Sequence, residues 1–194
     1  MTIARERIAR KLFLALVFSL PILLPSPLTA QISPRLDVFG GYSFRRFDSP
    51  TIGFADYKYL SGWNADVTGN ITKKWGVTLD VSGHYGSQLT LYSFMLGPQY
   101  TWQRERSRFF VHGLFGKEQN KVNSSQLTNS DFESVGRAFG GGGGFDLDWK
   151  PRISIRVVQA DYLRTNTYGV DQNDIRISTG VVIHFGQIGH RPKL

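Results

Sequence analysis

The chain has 194 residues, no cysteine, 13% aromatic residues and a formal net charge of +8. That length fits one domain. Without cysteine there is no disulfide scaffold, and the positive charge is not gathered into a patch, so a nucleic-acid partner is not indicated. No run of about 18 apolar residues follows residue 30, so no helix there is built to span a membrane. Membrane strands are short and alternating and escape such averages, so the mean hydropathy of −0.22 leaves a strand-built membrane protein open.

Residues 1–30 read as a cleavable signal peptide. Arg5, Arg7, Arg10 and Lys11 form a basic opening, residues 12–24 an apolar core interrupted by Pro21, and Leu28-Thr29-Ala30 a small-residue cleavage site before Gln31. The remainder carries 19 Lys and Arg against 14 Asp and Glu, a net charge of +5.

Eight segments with a period of two follow. The first covers residues 35–44, with Leu36, Val38, Tyr42 and Phe44 on one face and Asp37 on the other. Residues 45–59 lack a clean period and contain Pro50 and Gly53, which predicts a loop. The second strand, residues 60–71, alternates Trp63, Ala65, Val67 and Ile71 with Asn64, Asp66, Thr68 and Asn70. After a polar turn at 72–74, the third covers residues 75–85: Trp75, Val77, Leu79, Val81 and Tyr85 oppose Thr78, Asp80, Ser82 and His84. Aromatics at both ends of an aliphatic stripe match a lipid-facing surface with interface anchors.

The fourth strand, residues 89–102, presents Tyr92, Phe94, Leu96, Tyr100 and Trp102, with Pro98 among them at the loss of one ladder donor. The fifth, residues 108–117, is apolar on both faces, and its frame stays open. Residues 118–136 are polar and aperiodic and predict the longest loop. The sixth, residues 137–149, holds Gly140 to Gly144 and ends Asp146-Leu147-Asp148-Trp149. The seventh, residues 153–163, starts with Arg156 on the polar face, and its alternation slips at Val158-Gln159, which predicts a β-bulge. Residues 164–172 predict a loop, and the eighth strand, residues 173–185, sets Ile175, Ile177, Val181, Ile183 and Phe185 against Arg176 and His184.

Most connections alternate between short and long, and an even strand count leaves both ends of the barrel chain on one side. The fold expected is all-β: an eight-stranded antiparallel up-and-down transmembrane β-barrel, preceded by a cleavable signal peptide. The domain boundaries expected are 1–30 for the signal, 31–186 for the barrel and 187–194 for a short periplasmic tail. Trp63, Trp75, Tyr85, Tyr92, Trp102 and Trp149 are the expected interface aromatics.

The polar face collects Asp37, Asp66, Asp80, His84, Asp146, Asp148, Arg156, Arg176 and His184. An eight-stranded barrel is just wide enough to be filled by side chains, and buried charges must pair. The reading preferred is therefore an internal polar network that plugs the barrel, with a gated narrow pore as the alternative. Asp80, Ser82 and His84 resemble triad chemistry, but strand positions two apart are about 7 Å apart, too far for successive contacts near 3 Å. The outward positions hold no histidine for a lipid-facing serine–histidine pair. Gly140 to Gly144 lacks the Lys-Ser/Thr ending of a phosphate loop and is read as relief of crowding in a strand. The four histidines, at 84, 112, 184 and 190, have no metal-ligand spacing, and no cofactor is indicated.

The stretches Val38-Phe39-Gly40-Gly41-Tyr42-Ser43-Phe44, Phe94-Met95-Leu96-Gly97-Pro98-Gln99-Tyr100, residues 109–116 and residues 180–185 resemble strand phrases of the OmpA-like outer-membrane β-barrel family. The resemblance covers roughly residues 35–186. It implies residence in the outer membrane, contact with its lipid, and recognition of the last strand by the barrel-assembly machinery, with Phe185 as the assembly signal. It departs from the family's frequent pattern in that nine residues follow Phe185, and the peptidoglycan-binding domain of longer relatives is absent from this sequence. The function expected is structural or surface-interacting and not enzymatic, with a possible surface ligand at the loops 45–59 and 118–136. The alternatives are a narrow porin or small-solute transporter, and a soluble periplasmic lipocalin-like barrel with its apolar face turned inward.

Overall fold

A computed structural model describes residues 34–47, 58–86, 89–122, 132–167 and 170–186. The segments read as signal peptide and tail, 1–30 and 187–194, lie outside the described residues, as do the centres of the two long loops.

Eight strands follow one another: β1 (Leu36–Phe47), β2 (Lys58–Asn70), β3 (Trp75–Tyr85), β4 (Leu89–Arg104), β5 (Ser107–Val122), β6 (Phe132–Lys150), β7 (Ile153–Thr167) and β8 (Val170–Phe185). Each pairs antiparallel with its sequence neighbours, and β1 pairs with β8 from Leu36 opposite Phe185 to Arg46 opposite Ile175. The sheet is thereby closed and has no free edge.

One end carries the short turns β2–β3, β4–β5 and β6–β7 together with the start of β1 and the end of β8. The first of these turns is built locally: the Thr72 hydroxyl accepts the backbone N–H of Lys74 at 3.2 Å and of Trp75 at 2.9 Å. The opposite end carries the two longest connections, 48–57 and 123–131, together with the short ones 86–88 and 168–169.

The alternation is a consequence of the pleat, which turns successive side chains to opposite faces. Its sense is inverted relative to a soluble protein. Among the described residues, 29 large hydrophobic side chains are exposed, while 26 polar or charged residues are buried beside 11 hydrophobic ones. A soluble barrel with an apolar ligand cavity would show the opposite arrangement. β3 sets the height of the apolar band: its 11 residues run about 33 Å along the strand, or about 25 Å along the barrel axis at a tilt of about 40°.

In β5 the open frame is settled: Val111 and Phe115 are outside, and Phe110, His112 and Leu114 are inside. The β7 slip lies between Arg156 and Gln159, where Val157 and Val158 both face outward. Pro98 faces outward, and the β4–β5 ladder is interrupted beside it, between Leu96 opposite Phe115 and Gln99 opposite His112.

The strands are longer than the sequence periodicity suggests, and this corrects three loop assignments. Residues 45–47 and 58–59 of the loop 45–59 are strand, as are 118–122 and 132–136 of the loop 118–136, and all but 168–169 of the loop 164–172. All these extensions are at the long-loop end. There most outward positions, such as Gln119, Lys121, Arg164 and Asn166, are polar, with Tyr59 and Val135 as exposed exceptions, so ladder hydrogen bonds continue where the apolar stripe thins out.

Candidate functional site: the barrel interior and its rims

The interior is organised by four arginines, each held between two carboxylates. At the short-turn end Arg108 lies 3.7 Å from Asp37 and 3.4 Å from Asp148. His184 Nδ1 contacts Asp37 at 2.5 Å, Asn70 donates to Asp37 at 2.7 Å, and Ser154 donates to Asp148 at 2.6 Å.

Next along the barrel, Arg156 donates to Asp66 at 2.6 Å, to Asp146 at 2.8 Å and to Gln159 at 2.7 Å. Its guanidinium lies 4.2 Å from the Phe39 ring centroid and 4.3 Å from that of Phe110. Two aromatic faces thus stack on a cation that is already paired. Gly144 makes this possible, since a Cβ there would lie 2.6 Å from Phe110 Cζ; at Gly140 one would lie 2.7 Å from Leu163 Cδ2. The glycine run is a space allowance for inward side chains.

Arg176 then spans Asp80, with both oxygens at 2.8 Å, and Asp161, at 2.9 Å from Nε. Asn64 donates to Asp80 at 2.9 Å, while His112 and Gln159 each contact Asp161 at 2.8 Å. Toward the long-loop end His84 meets Ser43 at 2.9 Å and Ser82 meets Ser93 at 2.6 Å. Arg45 binds Glu118 through two contacts of 2.5 and 3.0 Å, and Asp174 at 2.5 Å. Phe47, Leu60, Leu89 and Leu91 pack together beyond it.

The structure places Asp37, Asp66, Asp80, His84, Asp146, Asp148, Arg156, Arg176 and His184 on the inward face, and every one contacts another interior side chain. It adds Arg45, Arg108, His112, Glu118, Asp161 and Asp174, which the sequence reading did not single out. Asp80, Ser82 and His84 do not meet one another; each bonds across the barrel to a different strand.

A serine–histidine–aspartate line does form, from residues of three strands: His184 Nε2 lies 2.6 Å from Ser154 Oγ while its Nδ1 faces Asp37. It does not have the properties of a nucleophilic site. Ser154 is fully buried, and its hydroxyl proton is directed to Asp148 and not to His184.

Two rims of aromatic side chains ring the outside. Trp75, Trp102 and Trp149 lie at the short-turn end, where Trp75 and Trp102 both pack edge-on against Tyr100. Trp63, Tyr85 and Tyr92 lie nearer the long-loop end, where Trp63 Nε1 donates to the Tyr85 hydroxyl at 3.2 Å and Tyr85 packs against Tyr92. Phe185 ends β8 half-exposed, and its carbonyl accepts the Arg35 N–H at 2.9 Å.

A closed eight-stranded barrel with an apolar exterior, a charge-paired interior and two aromatic rims is the architecture of outer-membrane barrel proteins. Solved structures of outer-membrane barrels share the fold. Neisserial surface protein A aligns with a TM-score of 0.61 at 15% identity, over 77% of this chain and 97% of that one. Ail, the attachment invasion locus protein of Yersinia pestis, aligns with a TM-score of 0.55 at 18% identity, over 78% and 100%. The N-terminal β-barrel domain of Pseudomonas aeruginosa OprF aligns with a TM-score of 0.51 at 10% identity, over 77% and 98%. Ail has also been solved in complex with the heparin analogue sucrose octasulfate. No protein-family model and no curated protein matches the sequence.

Proposed function

We propose that the chain is an outer-membrane protein, exported with loss of residues 1–30, whose barrel is plugged and whose role is structural or surface-interacting. The observation that carries this reading is the inversion of polarity: large hydrophobic side chains cover the outside, and charged groups fill the inside. In water the outside would be an aggregating surface; in a bilayer it is the solvated one, and closure leaves every strand paired.

In this reading Trp63, Trp75, Tyr85, Tyr92, Trp102 and Trp149 fix the barrel's depth at the two interfaces. Phe185 ends the closing strand and serves as the signal read by the assembly machinery, and 187–194 is a periplasmic tail. The long-loop end faces outward, so a surface ligand would meet the connections between β1 and β2 and between β5 and β6. Four arginine–carboxylate clamps across the lumen support a plug over a pore, and no enzymatic step is proposed.

The test is fractionation of the expressed protein followed by gel mobility with and without boiling. Outer-membrane retention with a heat-modifiable band is expected; a soluble periplasmic protein without a mobility shift would overturn the reading. Planar-bilayer recording then separates plug from pore. Little conductance is expected, and steady channels would favour the transporter.

A further inference from the structure

We infer that Lys117 of β5 and Arg137 of β6 form a clamp for the phosphate of an anionic lipid headgroup at the outer rim of the barrel. The two are direct cross-strand partners, which places their Cβ atoms about 5 Å apart on one face. Both are exposed, and neither has a partner among the described residues. Like charges opposite one another destabilise a strand pair, so the arrangement calls for an anion.

Among the described residues the chain does not supply one. The nearest acidic position along β6, Glu133, is four residues away and pairs in register with Lys121. Asp171 is two strands away by way of Asn166, about 10 Å, and its carboxylate is engaged by Arg164 at 2.5 Å and Asn166 at 2.7 Å.

The position identifies the anion's source. Two residues toward the bilayer, the same two strands carry the Phe115–Phe139 pair, 55% and 58% exposed, and the β4 partner of Lys117 is Phe94. On β5 the outward face changes here from Phe115 to Lys117, Gln119 and Lys121, while β6 carries Arg137 and then Val135, 59% exposed; this is the headgroup level, with Phe115 and Phe139 below and Phe94 alongside to receive an acyl chain. On β1 to β4 the corresponding rim carries Tyr42, Trp63, Tyr85 and Tyr92, with Arg46 and Lys58 at the strand ends beyond them. A planar guanidinium beside an ammonium suits a tetrahedral phosphate.

This inference rests on the membrane reading, and one series of experiments separates the two. The protein is first refolded into phosphatidylcholine vesicles without anionic lipid. Absence of a heat-modifiable band there would sink the membrane reading. The folded protein in neutral detergent is then titrated with phosphatidic acid, or with diacylglycerol of the same chains, and retained lipid is counted by native mass spectrometry.

Retention of phosphatidic acid over diacylglycerol is expected, and Lys117→Gln and Arg137→Gln should each lose nearly all that the double variant loses, because one phosphate bridges both. Independent surface attraction would instead give roughly fivefold losses that multiply to about 25-fold in the double variant, and that result overturns the clamp. So would equal retention of the two lipids, an equal loss in Lys73→Gln/Lys74→Gln at the opposite rim, or complete displacement by millimolar inorganic phosphate, which would mark a free-anion site. The heat-modifiable band confirms that each variant is folded, and Arg137→Lys, which keeps the charge, should retain part of the preference.

Discussion

Replacing Arg176 with methionine tests whether the interior is held by charge pairing. Arg176, Asp80 and Asp161 have fully buried side chains, and the guanidinium makes contacts of 2.8, 2.8 and 2.9 Å to the two carboxylates. At about 1.5 kcal/mol for each charge-assisted bond, the low end of the usual range, three such bonds amount to about 4.5 kcal/mol. That agrees with the roughly 3–5 kcal/mol typical of removing one partner from a buried pair. The loss arises because Asp80 keeps only Asn64, and Asp161 keeps His112 and Gln159, none of which carries a permanent positive charge. Neutralising the acids as well, in Arg176→Met/Asp80→Asn/Asp161→Asn, removes the stranded charges and should recover most of the loss, to within about 2 kcal/mol of the parent. Urea titration in phosphatidylcholine vesicles, with the folded fraction read from unboiled gel mobility, measures both variants. A triple variant as unstable as the single one, or a single variant within about 1 kcal/mol of the parent, would refute the reasoning.

The remaining predictions use the same preparation or its hydrogen exchange. Leu79→Arg, on the lipid face at mid-strand, should cost about 2–4 kcal/mol, whereas the effect of Asp80→Arg should follow the lost Arg176 pair and not bilayer depth; equal effects would reverse the facing of β3. Gly97→Ala should abolish the heat-modifiable band, because a Cβ there would overlap the Gly113 carbonyl oxygen, while Gly113→Ala, with nothing within 4 Å of the new Cβ, should leave it; matching outcomes would refute the close approach of β4 and β5. Asn166 and Arg164 hold the Asp171 carboxyl below its ordinary value through hydrogen bonds and charge. A lowered folded value means that its stabilisation is present above the ordinary pKa of 3.8 and is lost as pH falls through the lowered one. Amide protection in the β7–β8 hairpin should therefore decline below about pH 4 in the parent and show no such step in Asp171→Asn.

How far the sequence could be read follows from where lipid imposes its pattern. β3 is bounded by Trp75 and Tyr85 in both readings, because aromatics mark both ends of its apolar stripe. β5 and β6 run on past their stripes, and Lys117, Gln119 and Arg137 give no apolar alternation there, so their outer halves resemble loops. Two of the overlooked interior residues share that cause. Arg45 and Glu118 fall in segments taken as loops, and Asp174 stands at the very start of the eighth strand, although each keeps the parity of its strand's inward positions. His112 was obscured by the apolar residues on both faces of β5, and Asp161 by the bulge at Val157 and Val158. Which acid meets which arginine depends on strand tilt and register across the lumen, which no periodicity within one strand encodes.

The clamps also constrain the order of assembly. Arg45 and Asp174 are 129 residues apart in the chain, Arg176 and Asp80 are 96 apart, and Arg156 and Asp66 are 90 apart. The carboxylates of β2 and β3 therefore wait for cations on the last two strands. A half-built sheet entering the bilayer would carry stranded charges on a face without water, each at a cost of several kcal/mol, while contacts of such long range make closure slow. Partial insertion is penalised until β8 docks against β1, so insertion and closure become a single cooperative event, with the interior charges acting as a check on completion.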